Sequence, residues 1–457
     1  MAKGKTVAHG ATLGGNSAKS ATSDRDAALK ALVVALMAPD WRDQCRKGLS
    51  EFGAISTYLS QFLAHDLIHT VGLNSSFTRT AFGDSAGPTN LRRNMLQLDT
   101  LYGEGLDLDP QLYEPNMTNP RQVLASFRLN DTQDVFPNER TAPMPAFAAP
   151  LTATEGMAGS KPILGDARNA SQPMTMAVTT TFMAYHNMLV AGSENGSAAA
   201  KFMEARVKTI LAWHNIIETD IIGTILSPES QVKLPPKDKE RAATVAAFRS
   251  FHALIQSSYV LRSVNRFALS DLLSPVAVFA TWNRIMAGNF WNPDQSVWET
   301  IWAVDLGGFL GKSPENTTVM TASYSDQLLR DGVPVPLLDM IGSAAQGGAV
   351  TSSDLGLESV VRQLLDQLET EGRITSAERA ELNDPPALIG FLAESQYGAN
   401  PGRLGPVASA LVRASLMAEL DGSIAQLAKI TGFPEQTLRD WQKKAPKTFE
   451  SLWDATF

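Results

Sequence analysis

A mainly α fold is what this chain predicts. Apolar residues recur at three and four over long stretches, strand-like alternation is scarce and short, and no motif repeats at a period of roughly 20 to 50 residues. The 457 residues, 44% hydrophobic and 19% charged, suffice for a sizeable core. Residues 1–24 are rich in Gly, Ala, Ser and Thr and read as a flexible arm. With Ser23 and Asp24 as a candidate N-cap, a helix is predicted over Ala27–Met37, and another opens after Gly53. From Asn74 to Ala149 the chain is dense in Asn, Asp, Pro and Thr, which predicts long loops with brief helical turns. Helices follow over Met174–Leu189, Ala198–Ile225 and Glu240–Val260, with Pro235 and Pro236 between the last two. Further helices are predicted over Leu355–Glu371, Ser376–Leu382 and Pro406–Leu420. The expected organisation is the arm, a main domain over 25–422, and a C-terminal helical segment over 423–457 that packs on the domain or docks a partner.

Charge and composition narrow the function. A net charge of −8 offers no electrostatic footprint for nucleic acid or an anionic membrane, so small molecules are the expected partners. The single cysteine, Cys45, rules out an intramolecular disulfide and any multi-cysteine metal site. The basic N-terminus is followed by no apolar run, and the longest apolar runs fall short of the ~20 residues of a membrane span. The cytoplasm is therefore the expected location, with non-classical export left open. The segment Ile424–Gln442, IAQLAKITGFPEQTLRDWQ, has the spacing of a helix-turn-helix, with Ala428, Gly432, Leu438 and Trp441 at its key points. The acidic balance favours packing on the domain over DNA binding.

The chemistry concentrates in Gln61–His69, QFLAHDLIH, where two of the six histidines stand one helical turn apart. Gln61, His65 and His69 share one helix face, while Asp66 points about 100° away. A zinc protease would need Glu directly after the first histidine, where this chain has Asp66, and a third ligand that does not follow at helical spacing. The plainer alternative is a pair of histidines satisfied by backbone groups.

Three further segments bear on that choice. They are LDTLYGEG (Leu98–Gly105), GDARNASQP (Gly165–Pro173) leading into TMAVTTTFMAYHNMLV, and FRSFHALIQSSYVL (Phe248–Leu261). Together with QFLAHD, in this order and spacing, the chain resembles the animal-type haem peroxidases, the superfamily of myeloperoxidase, lactoperoxidase and the cyclooxygenases, as a minimal bacterial-style member. The resemblance covers roughly residues 50 to 420 and implies a mainly α, haem-peroxidase-like fold, with haem between central helices, long loops and very little β.

The resemblance also assigns roles. His65 resembles the distal histidine, with Gln61 at the halide or water position, and Arg168 resembles the distal arginine. His252 resembles the proximal haem ligand, and Arg249 resembles the arginine that pairs with a haem propionate. The HN element at His186 and Asn187 resembles a structural one, and Arg403–Val412 resembles a helix near the end of the domain. A neutral His65 can take a proton from hydrogen peroxide and return it to the departing oxygen, while Arg168 stabilises the developing charge. His252 leaves one axial position of the iron open.

Departures from the family pattern sharpen these expectations. At positions where family members tether haem covalently, this chain has Ala64, Ser171 and Gln172, which implies noncovalent haem b. The family calcium site is matched by Asp66 and Asp99 only, with Gln97 where many members have Asp, so calcium is an expectation with two candidate ligands. The asparagine that orients the proximal histidine has no clear match; Asn383 is nearby, and a backbone carbonyl or a glutamine is the expected substitute. Arg249 stands where cyclooxygenases and fatty-acid α-dioxygenases carry a radical-forming tyrosine. The expected activity is therefore a peroxidase reducing hydrogen peroxide while oxidising small organic donors, halide or thiocyanate. The alternatives are a fatty-acid dioxygenase, or a non-catalytic haem-binding or interaction protein.

Overall fold

The computed structural model describes residues 15–46, 49, 51–67, 96–119, 122–130, 142–145, 162–170, 172–262, 265–273, 310, 316–330, 332–344 and 349–457. Helices dominate, and the β structure is confined to short antiparallel pairs such as Tyr113–Pro115 with Val123–Phe127 and Ser258–Arg262 with Asn265–Ala268. The mainly α expectation therefore holds.

Helix α1 (Gly15–Leu36) is followed by α2 (Pro39–Arg46) and α3 (Ile55–Leu67). The helix predicted from Ala27 begins at Gly15, inside the expected arm: Leu32, Val33 and Leu36 bury completely or nearly so, and once such a turn is anchored, further alanine-rich turns add at little cost. Then come the short α4 (Asp99–Tyr102), the long α5 (Pro173–Ala191) and α6 (Ala198–Ile216). Helix α6 continues into a π-helical turn over Ile217–Ile222, so the long predicted pattern is real but changes its winding.

The helix predicted over Glu240–Val260 is three elements. Helix α7 (Glu240–Arg249) tightens into a 3₁₀ turn over Ser250–Leu254, and the chain then extends into the hairpin strand at Ser258. Gln256, Ser257 and Ser258 interrupt the apolar pattern, and Tyr259 and Val260 fit a pleated strand better than a helix. The remaining helices are α8 (Leu269–Leu273), α9 (Val335–Ala344), α10 (Glu358–Thr370), α11 (Ser376–Glu381), α12 (Ala387–Tyr397), α13 (Pro406–Thr431), α14 (Glu435–Lys444) and α15 (Phe449–Thr456). Helix α13 crosses the 422/423 boundary unbroken.

Two packed groups frame the site. Helices α3, α5 and α6 meet at a wholly buried aromatic cluster, in which Phe62 stacks on Phe182 and Trp213 sits edge-on to both, with ring centroids 5.3–5.5 Å apart. Helix α7 packs against α9, α12 and α13, and α3 packs on the 3₁₀ turn that follows α7. The HN element pins the Val123–Phe127 strand to α5: Asn187 exchanges hydrogen bonds with the Phe127 backbone at 2.7 and 2.9 Å, and His186 donates to the Ala125 carbonyl at 2.9 Å. The C-terminal helices close over α5 and α6, with Phe449, Leu452 and Trp453 buried and Asn215 donating to carbonyls of residues 442, 445 and 446. Among the described residues, no helix is long and apolar enough to cross a membrane.

Candidate active site

The four described histidines fall into two kinds. His186 and His214 are wholly buried and have partners at both ring nitrogens: Ala125 O and the Tyr102 hydroxyl for His186, Leu96 O at 2.8 Å and Ser423 Oγ at 3.4 Å for His214. Burial holds both rings down at about 4, so they are neutral packing elements. His65 and His252 are only partly buried, and each is gripped through Nδ1 by a buried side chain. His69 lies outside the described residues.

On α3, Gln61, Ala64 and His65 are half-buried while Phe62, Leu63, Asp66 and Leu67 are buried, so one helical stripe is left accessible. Nδ1 of His65 lies 2.7 Å from Oδ1 of the fully buried Asn169. The Asn169 amide nitrogen donates to Thr100 at its carbonyl (3.3 Å) and hydroxyl (3.0 Å), which turns the oxygen toward the imidazole. The proton therefore sits on Nδ1 and the lone pair on Nε2. Residues Ala167–Ala170 form the 3₁₀ turn that delivers Asn169 and Arg168, and Gly165 lets this turn approach α4: a Cβ there would lie 2.6 Å from the Leu101 carbonyl.

Arg168 is not a lone cation. Its Nε lies 3.0 and 3.2 Å from the two Asp166 oxygens, and its Nη2 lies 2.6 Å from Asp166 Oδ2 and 3.0 Å from the His65 carbonyl. Burial alone would raise the Asp166 carboxyl, but hydrogen bonds and charge from Arg168, with a contribution from His65, hold it at about 2. Beside His65, Gln61 Oε1 accepts from Gln172 Nε2 and, at 3.1 Å, from the Thr175 hydroxyl.

The second histidine stands out within its turn. Ser250, Phe251, Ala253 and Leu254 are buried, whereas the His252 side chain is 41% exposed. Its Nδ1 lies 2.7 Å from Oδ2 of Asp339, a buried carboxylate on α9 whose other oxygen is 2.8 Å from Nη1 of Arg249. Gly342, one turn further along α9, makes room for that guanidinium, since a Cβ there would meet Nη2 at 2.9 Å. The expected substitute for the family asparagine was a backbone carbonyl or a glutamine; the partner is Asp339 instead. Arg249, expected at a haem propionate, is ion-paired to the same carboxylate.

The two expected calcium ligands each hold a protein partner. Asp66 is wholly buried, and its Oδ2 accepts from Trp213 Nε1 at 3.1 Å and from the Leu98 amide at 3.3 Å. Asp99 is 3.2 Å from the Arg206 guanidinium. The intervening loop carries two left-handed leucines, Leu96 and Leu98, held by His214 and Asp66. Among the described residues, no group of three or more His, Cys, Asp or Glu side chains is placed to hold a metal ion.

No family model and no curated protein matches the sequence. Solved structures match the fold. Peroxidase A from Dictyostelium discoideum is 13% identical at a TM-score of 0.54, over 89% of this chain and 84% of that one. A fatty acid alpha-dioxygenase from Oryza sativa is 12% identical at 0.54, over 93% and 77%. Another, from Arabidopsis thaliana, is 11% identical at 0.50, over 90% and 73%. The chain has the fold of the animal-type haem peroxidases.

On that fold, the structure brings Gln61, His65 and Arg168 together, and Arg249 and His252 together, while Asp66 is held by Trp213 and Leu98 and Asp99 by Arg206. Asn169, Thr175, Asp166 and Asp339 were missed from the sequence. Asn169 and Asp166 flank Arg168 in the quoted GDARNASQP loop, and Asp339 is a lone carboxylate in the apolar run VPLLDMIG, which is itself a signal because a charge is rarely buried unpaired.

Proposed function

We propose that this chain is a haem-dependent peroxidase that reduces hydrogen peroxide while oxidising small organic donors, halide or thiocyanate. The observation that carries this is the division of the four described histidines: two are sealed into the core, and two are partly accessible, each held by a buried side chain through Nδ1 so that Nε2 bears the lone pair. That donor chemistry fits noncovalent haem b, which His252 would hold through Nε2 while His65 would serve as its acid–base group. Ala64 offers no carboxylate for an ester bond.

Haem, when bound, supplies the iron that accepts the oxidising equivalents of peroxide. His65 Nε2 takes the proton from the incoming hydroperoxide and returns it to the departing oxygen, and Asn169 keeps the ring in the tautomer that can do so. Arg168 stays charged and stabilises negative charge on the separating oxygens, while Asp166 fixes the guanidinium plane at the cost of part of its field. Gln61, oriented by Gln172 and Thr175, positions water or donor beside His65.

The fold is shared with fatty acid alpha-dioxygenases, so oxygenation of a lipid is the second reading. Arg249, three residues before His252 and locked onto Asp339, leaves that position without a tyrosine to relay hydrogen abstraction. The deciding experiment is a visible spectrum of the purified protein before and after hydrogen peroxide, repeated for His252→Ala. A Soret band that shifts with peroxide and is lost or altered in the variant is expected. A Soret band that ignores peroxide, or oxygen uptake with a fatty acid and no peroxide, would sink the peroxidase reading.

A further inference from the structure

We propose that Asp339 is a positioning residue that makes His252 an unusually strong electron donor, and that this selects organic one-electron donors over halides. The inference rests on the haem reading above, with His252 as ligand. Asp339 is 1% exposed, and its Oδ2 lies 2.7 Å from His252 Nδ1. A carboxylate only accepts, so Nδ1 must carry the proton and Nε2 keeps the lone pair with which it would ligate the iron. The resemblance places a neutral asparagine in this role. A carboxylate makes a charge-assisted bond, roughly twice as strong as one between neutral groups, and pulls the Nδ1 proton toward itself. The ring then carries partial imidazolate character and donates more density to iron than an amide-supported histidine would.

The second oxygen of Asp339 sets how far this goes. Arg249 Nη1 lies 2.8 Å from Oδ1, and Gly342 gives the guanidinium its place against α9. The cation draws part of the carboxylate charge away from His252 and fixes the carboxylate plane. Asp339 and Arg249 therefore act on His252 with opposite sign through one carboxylate. Stronger donation lowers the iron's reduction potential and with it the oxidising power available to a donor. Chloride and bromide, which need the most oxidising power, lose most; phenols and aromatic amines remain within reach.

The test uses the full chain loaded with haem, as wild type, Asp339→Asn and Arg249→Met. The readouts are the ferrous iron–histidine stretch by resonance Raman, the ferric/ferrous midpoint in a mediated titration, and the ratio of kcat/KM for bromide to that for guaiacol. In Asp339→Asn the stretch is expected to fall to lower frequency, the ferrous-to-ferric ratio at a fixed poise to rise about tenfold, and the bromide-to-guaiacol ratio to rise. In Arg249→Met the midpoint is expected to move the other way. A simple structural ion pair would make the two variants alike, since both break the same contact. An unchanged stretch and midpoint in Asp339→Asn, with His252 still the ligand, overturns this inference and leaves the haem reading standing. A wild type with no iron–histidine stretch overturns both.

Discussion

Asn169 Oδ1 lies 2.7 Å from His65 Nδ1, and the two Thr100 contacts of its amide nitrogen stop the side chain from turning the other way. The tautomer of His65 is thus set by a buried neighbour. Asn169→Ala should slow the reaction with peroxide by roughly 10- to 100-fold, the range typical for loss of a residue that orients a reacting or ligating histidine. Asn169→Asp should instead favour the imidazolium form of His65 and move the acid limb of the pH–rate profile to higher pH. Stopped-flow Soret changes across pH measure both, and profiles that overlay the wild type would show that Asn169 only packs.

The paired Arg168 and Asp166 predict unequal effects. Arg168→Gln removes the cation from beside His65 and should lower the rate of peroxide cleavage by about 10²- to 10³-fold, the usual loss for a donor aimed at developing charge. Arg168→Lys should not rescue it, because a single ammonium cannot hold both Asp166 oxygens and the His65 carbonyl in one plane. Asp166→Asn should cost less, since the cation survives with looser placement. If Asp166→Asn proves as damaging as Arg168→Gln, Asp166 has a larger part than fixing the guanidinium.

Much of this site was legible because the residues that define it are chemically uncommon for their setting. Histidines at 65 and 252 in apolar helical patterns and an arginine in a Gly/Asp/Asn loop announce themselves. The supporting residues do not, because their role is a matter of approach between distant segments: Asn169 reaches His65 across 104 positions of chain, and Asp339 reaches His252 across 87. The fold was legible where apolar periodicity ran long, as in Met174–Leu189. It was misread over Glu240–Val260, where the apolar periodicity of helix α7 and the 3₁₀ turn resumes after Gln256–Ser258 at Tyr259 and Val260, and tertiary pairing with Asn265–Ala268 makes that stretch a strand. For Asp66 and Asp99, spacing shows where a carboxylate is, but not that Trp213 and Arg206 hold it.

The burial of Asp66 against Trp213 carries a stability prediction. Trp213→Phe keeps the stacked aromatic cluster but removes the N–H from wholly buried Asp66, and should destabilise the fold by roughly 1–3 kcal/mol. The thermal midpoint of the wild type should be the same in a chelator as in millimolar calcium. Differential scanning calorimetry checks both. A midpoint that rises with calcium would mean the Asp66 and Asp99 oxygens reorganise to take the ion.

Glu394 gives a pH dependence with a definite sign. It is buried on α12, and burial lifts its carboxyl from 4.5 to about 7, while the backbone amides of Val407 and Ala408 at the start of α13 pull the other way. The folded form therefore holds the proton more tightly than the unfolded chain. Its stabilising contribution is complete below 4.5 and is lost as pH rises through 7, at a scale of roughly 3 kcal/mol. His186 and His214, depressed to about 4, work in the opposite sense, adding stability as pH rises from 4 to 6.5. A pH scan of the wild type mixes these signs, so the difference between Glu394→Gln and wild type is the informative quantity. Gln keeps an oxygen for the Val407 amide, which lies 3.0–3.2 Å from the carboxylate oxygens, but does not ionise. Denaturant unfolding at a series of pH values should show Glu394→Gln gaining on the wild type between pH 4.5 and 7 and levelling off above. A difference that stays flat across that interval would mean Glu394 ionises normally in place.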